Sequence, residues 1–237
     1  MRPRHTIHLG DGPSGLPFMK FTLTYDGPLP ASANSRKPED KWRMRCHFHP
    51  QLIELTKENK ALTYAIENSK IPKNEKFIFM QGHHLANPGI GVGGSAKVHK
   101  DEKWDLFETK PRGGKHFLPI VRESMGLTCT LDILFLRKED PGALILQGGD
   151  IDGRIKTLFD ALRMPWDDTE ATHKRPENIP EPFYCLLESD SLITGVNIKT
   201  DRLLTAPNAA NNEVRLVIAV DVRVMHARAY NMSFLAD

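Results

Sequence analysis

GDIDGRIKTLFDALRM, residues Gly149 to Met164, is the stretch from which the rest of the chain is read. Asp150 and Asp152 stand just before a helical pattern, and Lys156 and Asp160 follow at four-residue steps. Two carboxylates at about 4 Å repel by roughly 4 kcal/mol at a near-surface dielectric. A chain that keeps both therefore points to a bound cation. Ile155, Leu158, Phe159 and Leu162 follow the i, i+3, i+4, i+7 spacing of a buried helical stripe. At about 100° per residue, Asp152, Lys156 and Asp160 share a strip beside it. Two plainer readings stay open at this point: Asp152 as a helix N-cap, and Lys156–Asp160 as a surface i, i+4 pair. A calcium loop fails on spacing, because Gly153 comes three residues after Asp150 and no Glu stands at the twelfth position.

The chain has 237 residues, 40% hydrophobic and 26% charged, which suits one sizeable domain carrying insertions. A formal net charge of +2 neither demands nor excludes a nucleic-acid partner, so local clustering matters more. Arg36, Lys37, Lys41, Arg43 and Arg45 form one basic stretch. Lys97, Lys100, Lys103, Lys110, Arg112 and Lys115 form another. Each can follow a phosphate backbone or be a solvated loop. The three cysteines, Cys46, Cys129 and Cys185, are far apart and lack CxxC spacing, which argues for reduced thiols and against a zinc site. The first 17 residues have no signal-peptide core, and the longest apolar runs are too short to cross a bilayer. The expectation is a cytoplasmic protein without a membrane partner.

Along the chain, KFTLTY (Lys20–Tyr25) alternates as a half-buried strand does. A helix is expected from about Pro50 to Asn68, and a short strand at Phe77–Met80. Residues 82–116 lack clear periodicity. TCTLDILFLRK predicts a long strand with Leu131, Ile133 and Phe135 on one face and Asp132 toward solvent. ALILQ extends it or forms another strand. After the helix, residues 163–182 read as a Pro-rich acidic loop. A short apolar run, an acidic turn and a strand come next, and VRLVIAVDVRVM supplies the last strand. The order predicts a mixed α/β domain.

Two decoys are set aside. Gly89, Gly91 and Gly94 match G-x-G-x-x-G, but no strand precedes them and no amphipathic helix opens after them, so no nucleotide cofactor is expected. His47/His49 and His83/His84 lack the i, i+4 spacing of a zinc helix and read as loop or surface histidines.

DIDGRIKTLFDAL resembles the signature of the RusA-type Holliday-junction resolvases. That family has two Asp one residue apart, usually followed by Asn, then a Lys four residues after the second, in a helix ending Asp-Ala-Leu. Asp150, Asp152, Lys156 and Asp160-Ala161-Leu162 fall into place. Gly153 stands where the Asn is usual, and Gly148-Gly149 where members often carry Arg. The family's third metal-binding Asp lies in a short acidic turn, here Glu188-Ser189-Asp190, with Asp190 matching. VNIKTDRLL and VRLVIAVDVRV resemble its last two strands, and FTLTYDGPLPASANSR its opening strand and turn.

The resemblance covers the first strand and most of residues 127–225. It does not cover 38–116 or 163–182. It implies a single RusA-like domain over 1–237, a mixed β-sheet flanked by helices. The core is about 18–37 and 117–228, with insertions at about 38–116 and 163–182. It also implies a homodimeric Mg²⁺-dependent endonuclease that resolves four-way junctions, with Mn²⁺ as an alternative ion. Asp150, Asp152 and Asp190 would hold the metal and, with Lys156, form the catalytic set. Asp160 would support Lys156 or make a plain salt bridge, and Arg36, Lys37 and Arg154 would meet branched DNA. A nuclease for other branched or single-stranded DNA, and a catalytically silent DNA-binding protein of the same fold, are the alternatives.

Overall fold

The structure, a computed structural model, describes residues 6–9, 15–30, 38–72, 103–138, 151–171, 180–204, 213–225 and 231. Its main sheet has five strands in the order β1-β9-β7-β10-β2. These are β1 (Thr6–Leu9), β2 (Leu16–Pro28), β7 (Leu127–Arg137), β9 (Ile193–Arg202) and β10 (Glu213–Val224). The β7–β9 pair is parallel and the other pairs are antiparallel. Period-2 patterning fixes the register. Leu23 pairs with Ile218, Ile218 with Ile133, and Ile133 with Ile198, so one apolar row crosses four strands. All four residues belong to the main buried core. Full burial of each contributes about 1.5–3 kcal/mol. Asp132 is exposed, as its strand position predicts, and accepts a hydrogen bond from Asn197 Nδ2 at 2.6 Å.

A smaller sheet runs β5-β6-β8, with β5 (Lys110–Arg112), β6 (Lys115–Val121) and β8 (Phe183–Leu187). β6 and β8 pair in parallel. β3 (Lys70–Pro72) and β4 (Lys103–Asp105) form a separate two-stranded ribbon. Residues 82–116 are therefore not devoid of regular structure. β6 escapes the periodicity reading because Phe117 to Val121 are all buried and leave no alternation to find.

The helix expected at Pro50–Asn68 is two helices: α1 (Pro38–Glu58) and α2 (Lys60–Glu67). They divide at Asn59, whose side chain caps α2 by accepting from Leu62 N–H at 2.9 Å. α1 runs straight through Pro50. The interior proline forfeits a backbone hydrogen bond, and burial of Trp42, Met44, Phe48 and Leu52 offsets the loss. Met44, Phe48 and Leu52 join the same core as the sheet, so this part of 38–116 is integral to the packing. Gln51 presents its carboxamide to the edge strand β2. Its Oε1 accepts from Thr24 N–H at 2.9 Å and its Nε2 donates to Thr24 O at 2.8 Å, which occupies backbone groups that an edge strand otherwise leaves open.

His47 and His49 are not loop residues, and His47 is only half-buried. Both lie on α1, and His49 is buried, stacked on Phe183 with ring centroids 4.3 Å apart. Its Nδ1 accepts from Tyr184 N–H at 2.8 Å. All three cysteines are free thiols. Phe77–Met80, His83/His84, the three glycines of the decoy motif and ALILQ lie outside the described residues.

Candidate functional site

The helix expected at Asp150–Leu162 is present as α3 (Ile151–Leu162). Ile155, Leu158 and Leu162 are buried and Phe159 is half-buried, as the stripe predicts. Gly153, Thr157 and Ala161 are buried as well, at four-residue spacing. The helix is therefore enclosed on most sides, and its exposed residues are Asp152 and Lys156. Asp152 lies inside the first helical turn, where a carboxylate is favoured by the helix dipole, and is not the residue preceding the helix. Lys156 makes no ion pair among the described residues.

Asp190 opens a 3₁₀ turn, Asp190–Leu192, and is exposed. Ser189 Oγ caps that turn by accepting from Ser191 N–H at 3.2 Å. The turn packs against both α3 and β7, so the segments carrying Asp152 and Asp190 are neighbours in space. Asp150, Arg36 and Lys37 lie outside the described residues. Among the described residues no group of three metal-ligating side chains converges.

Two expectations on α3 are corrected. Arg154 does not face solvent; it is buried, and its Nη1 donates to Leu29 O at the end of the opening strand. Arg154, Leu158 and Leu162 share one face, so the residue falls within the buried stripe, and its guanidinium ties β2 to the helix start. Asp160 does not pair with Lys156. It sits 2.7 Å from Lys41 Nζ and 3.0 Å from Arg163 Nη2.

Asp160 belongs to a charged network at the far end of α3. Arg45, only 1% exposed, donates from Nε to Arg163 O at 3.1 Å and from Nη2 to Asp160 O at 2.6 Å. Its Nη2 also lies 3.3 Å from Glu170 Oε2. Arg163 reaches Glu170 through both terminal nitrogens at 3.1 Å. Lys41, Arg43 and Arg45 of the first basic stretch are thus helical, with Arg45 inside the protein. Sequence reasoning missed this network, although Trp42, Arg45, Phe48, His49 and Leu52 have helical spacing that places Arg45 on the buried side of α1.

Burial pushes the Asp160 carboxyl up, but hydrogen bonds and charge from Lys41 and Arg163 outweigh it and hold the group below its ordinary value. Glu170 behaves alike: burial raises it, and Arg163, the Trp166 N–H and Arg45 lower it further. A carboxyl depressed in the folded state contributes stability above its unfolded pKa and loses it as pH falls through the folded value. The ordinary values are 3.8 for Asp160 and 4.5 for Glu170. The thermal midpoint is therefore expected to hold from pH 7 to about 5 and to fall below about pH 4.5. The fall should be shallower in Glu170→Gln. An equal slope in the variant would remove Glu170 from the acid response.

No protein-family model, no curated protein and no solved structure matches this chain. The mixed α/β architecture is observed directly, and among the described residues no helix is long and apolar enough to cross a membrane.

Proposed function

We propose that the chain is a metal-dependent DNA endonuclease of the RusA type, acting on branched DNA as a homodimer. The observation that carries this reading is the exposure of Asp152 and Lys156 on an otherwise enclosed helix, beside the turn bearing Asp190. Burial dictates most of the helix; the solvent strip is where chemistry has room. Asp152 and Asp190 are hard oxygen donors from two neighbouring segments, and Asp150 would be the third. These donors suit Mg²⁺, with Mn²⁺ as an alternative. The bound ion would supply charge neutralisation and polarisation at a phosphodiester. Lys156, one turn from Asp152, offsets surplus carboxylate charge and stabilises negative charge building on the phosphate. Arg154 acts from inside, holding the opening strand against the helix start that presents Asp152.

The test is incubation of the purified protein with a labelled four-way junction, a flap and a linear duplex, with and without Mg²⁺. Symmetric, Mg²⁺-dependent nicking of the junction is the expected result. Cleavage confined to the flap keeps the nuclease and changes its substrate. Tight junction binding with no turnover on any substrate would replace the enzyme with a binding protein of this fold.

A further inference from the structure

Trp166 is 65% exposed, the largest side chain so placed among the described residues. Its backbone is nonetheless pinned on both sides. Its N–H donates to Glu170 Oε2 at 3.1 Å, and its carbonyl accepts from Arg112 Nε at 3.2 Å. The Arg163 guanidinium carbon lies 5.8 Å from the ring centroid. With the backbone tied at both ends, binding through the ring has less chain freedom to give up.

Residues from both basic stretches of the sequence converge on this loop and the end of α3 that precedes it. From α1, Lys41 reaches Asp160, and Arg45 reaches Arg163. From the β5–β6 hairpin, Arg112 reaches Trp166, and Lys115 Nζ donates to Ala171 O at 2.6 Å. Arg112 has no carboxylate partner among the described residues. Among the described residues the other exposed large apolar side chains are Tyr64, on α2, and Leu204, after β9. The groups that hold Trp166 are Arg112, Arg163 and Glu170, with the exposed Asp167 and Asp168 next in the chain, so the surface is a single flat ring among charged groups. Among the described residues no contiguous apolar patch of the kind that marks a protein interface surrounds it. A flat π face flanked by cations is the arrangement that receives an unpaired base and its phosphates.

We infer that Trp166 is a stacking platform for an unpaired nucleobase, with Arg112 beside it to meet the backbone phosphate. The inference rests on the nucleic-acid reading above.

The test measures binding of a labelled oligothymidylate and a four-way junction in EDTA, so that hydrolysis plays no part. Trp166→Ala is expected to weaken oligothymidylate binding roughly tenfold with an unchanged thermal midpoint. Trp166→Phe should keep most of the affinity but lose the quenching of tryptophan emission that oligothymidylate causes in the parent protein. Equal affinity of parent and Trp166→Ala would overturn the platform. So would a parent dimer that Trp166→Ala converts to monomer without loss of DNA affinity, since the ring would then serve protein contact. Absence of DNA binding by the parent protein itself would overturn the nucleic-acid reading instead.

Discussion

Asp152→Asn is expected to lower Mg²⁺-dependent DNA cleavage by more than about a hundredfold, beyond what loss of a supporting partner alone produces. The substitution keeps size and hydrogen-bonding capacity but removes the formal charge that a hard divalent ion requires. Stability should change little, because the residue is exposed in the first turn of α3. Among what it loses there is the carboxylate's interaction with the helix N-terminus, about 0.3–1 kcal/mol. Cleavage rates on the four-way junction, measured beside urea unfolding of both proteins, separate the two effects. A fully active variant would remove Asp152 from the site. An inactive variant that is also strongly destabilised would leave its role structural.

The second large effect lies at the opposite end of the same helix. Arg45→Ala is expected to destabilise the protein by about 3–5 kcal/mol, as loss of one partner from a buried ionic network does. The last carbonyls of a helix have no intrahelical donor. The usual donor to Asp160 O would be Met164 N–H, but that group donates to Leu187 O at 2.8 Å instead, joining the chain after α3 to β8. Arg45 fills the vacancy from α1, bonding Asp160 O and Arg163 O together. Burial lowers the guanidinium's pKa, opposed by the charge of Glu170, and burial of Nη1 without a hydrogen-bond partner adds a further desolvation penalty. Arg45→Lys should recover only part of the loss, since an ammonium cannot bridge two carbonyls and a carboxylate with a planar fork. Urea unfolding provides the measurement. A loss below about 1 kcal/mol would mean that desolvating the guanidinium nearly cancels its bonds, as happens in some buried pairs.

Legibility in the sequence followed local periodicity. β7, β9 and β10 were readable because one face of each packs on the core and the other does not. α3 was readable because four apolar residues at helical spacing outweigh its polar ones. β6 was hidden by burial on both faces. Pro50 hides the start of α1, because proline favours the first turn of a helix, whereas packing of Trp42 to Leu52 carries the helix through it. At the candidate site, the exposure of Asp152 and Lys156 followed from the stripe beside them. Arg154 and Asp160 were misjudged for another reason: a charged side chain on a helix declares its direction but not its partner.

The sequence by itself determined the alternating strands, the helix with its acid–base strip and the acidic turn ahead of β9, because each rests on contacts within a few turns of chain. Only the tertiary structure decided that Asp160 belongs to Lys41 and Arg163, that Arg45 is internal and that Arg112, from a distant hairpin, meets the backbone of Trp166. Arg45 and Asp160 are 115 residues apart. Pairings over such separations depend on which surfaces the shared core forces together, and no local pattern of charge or hydropathy records that.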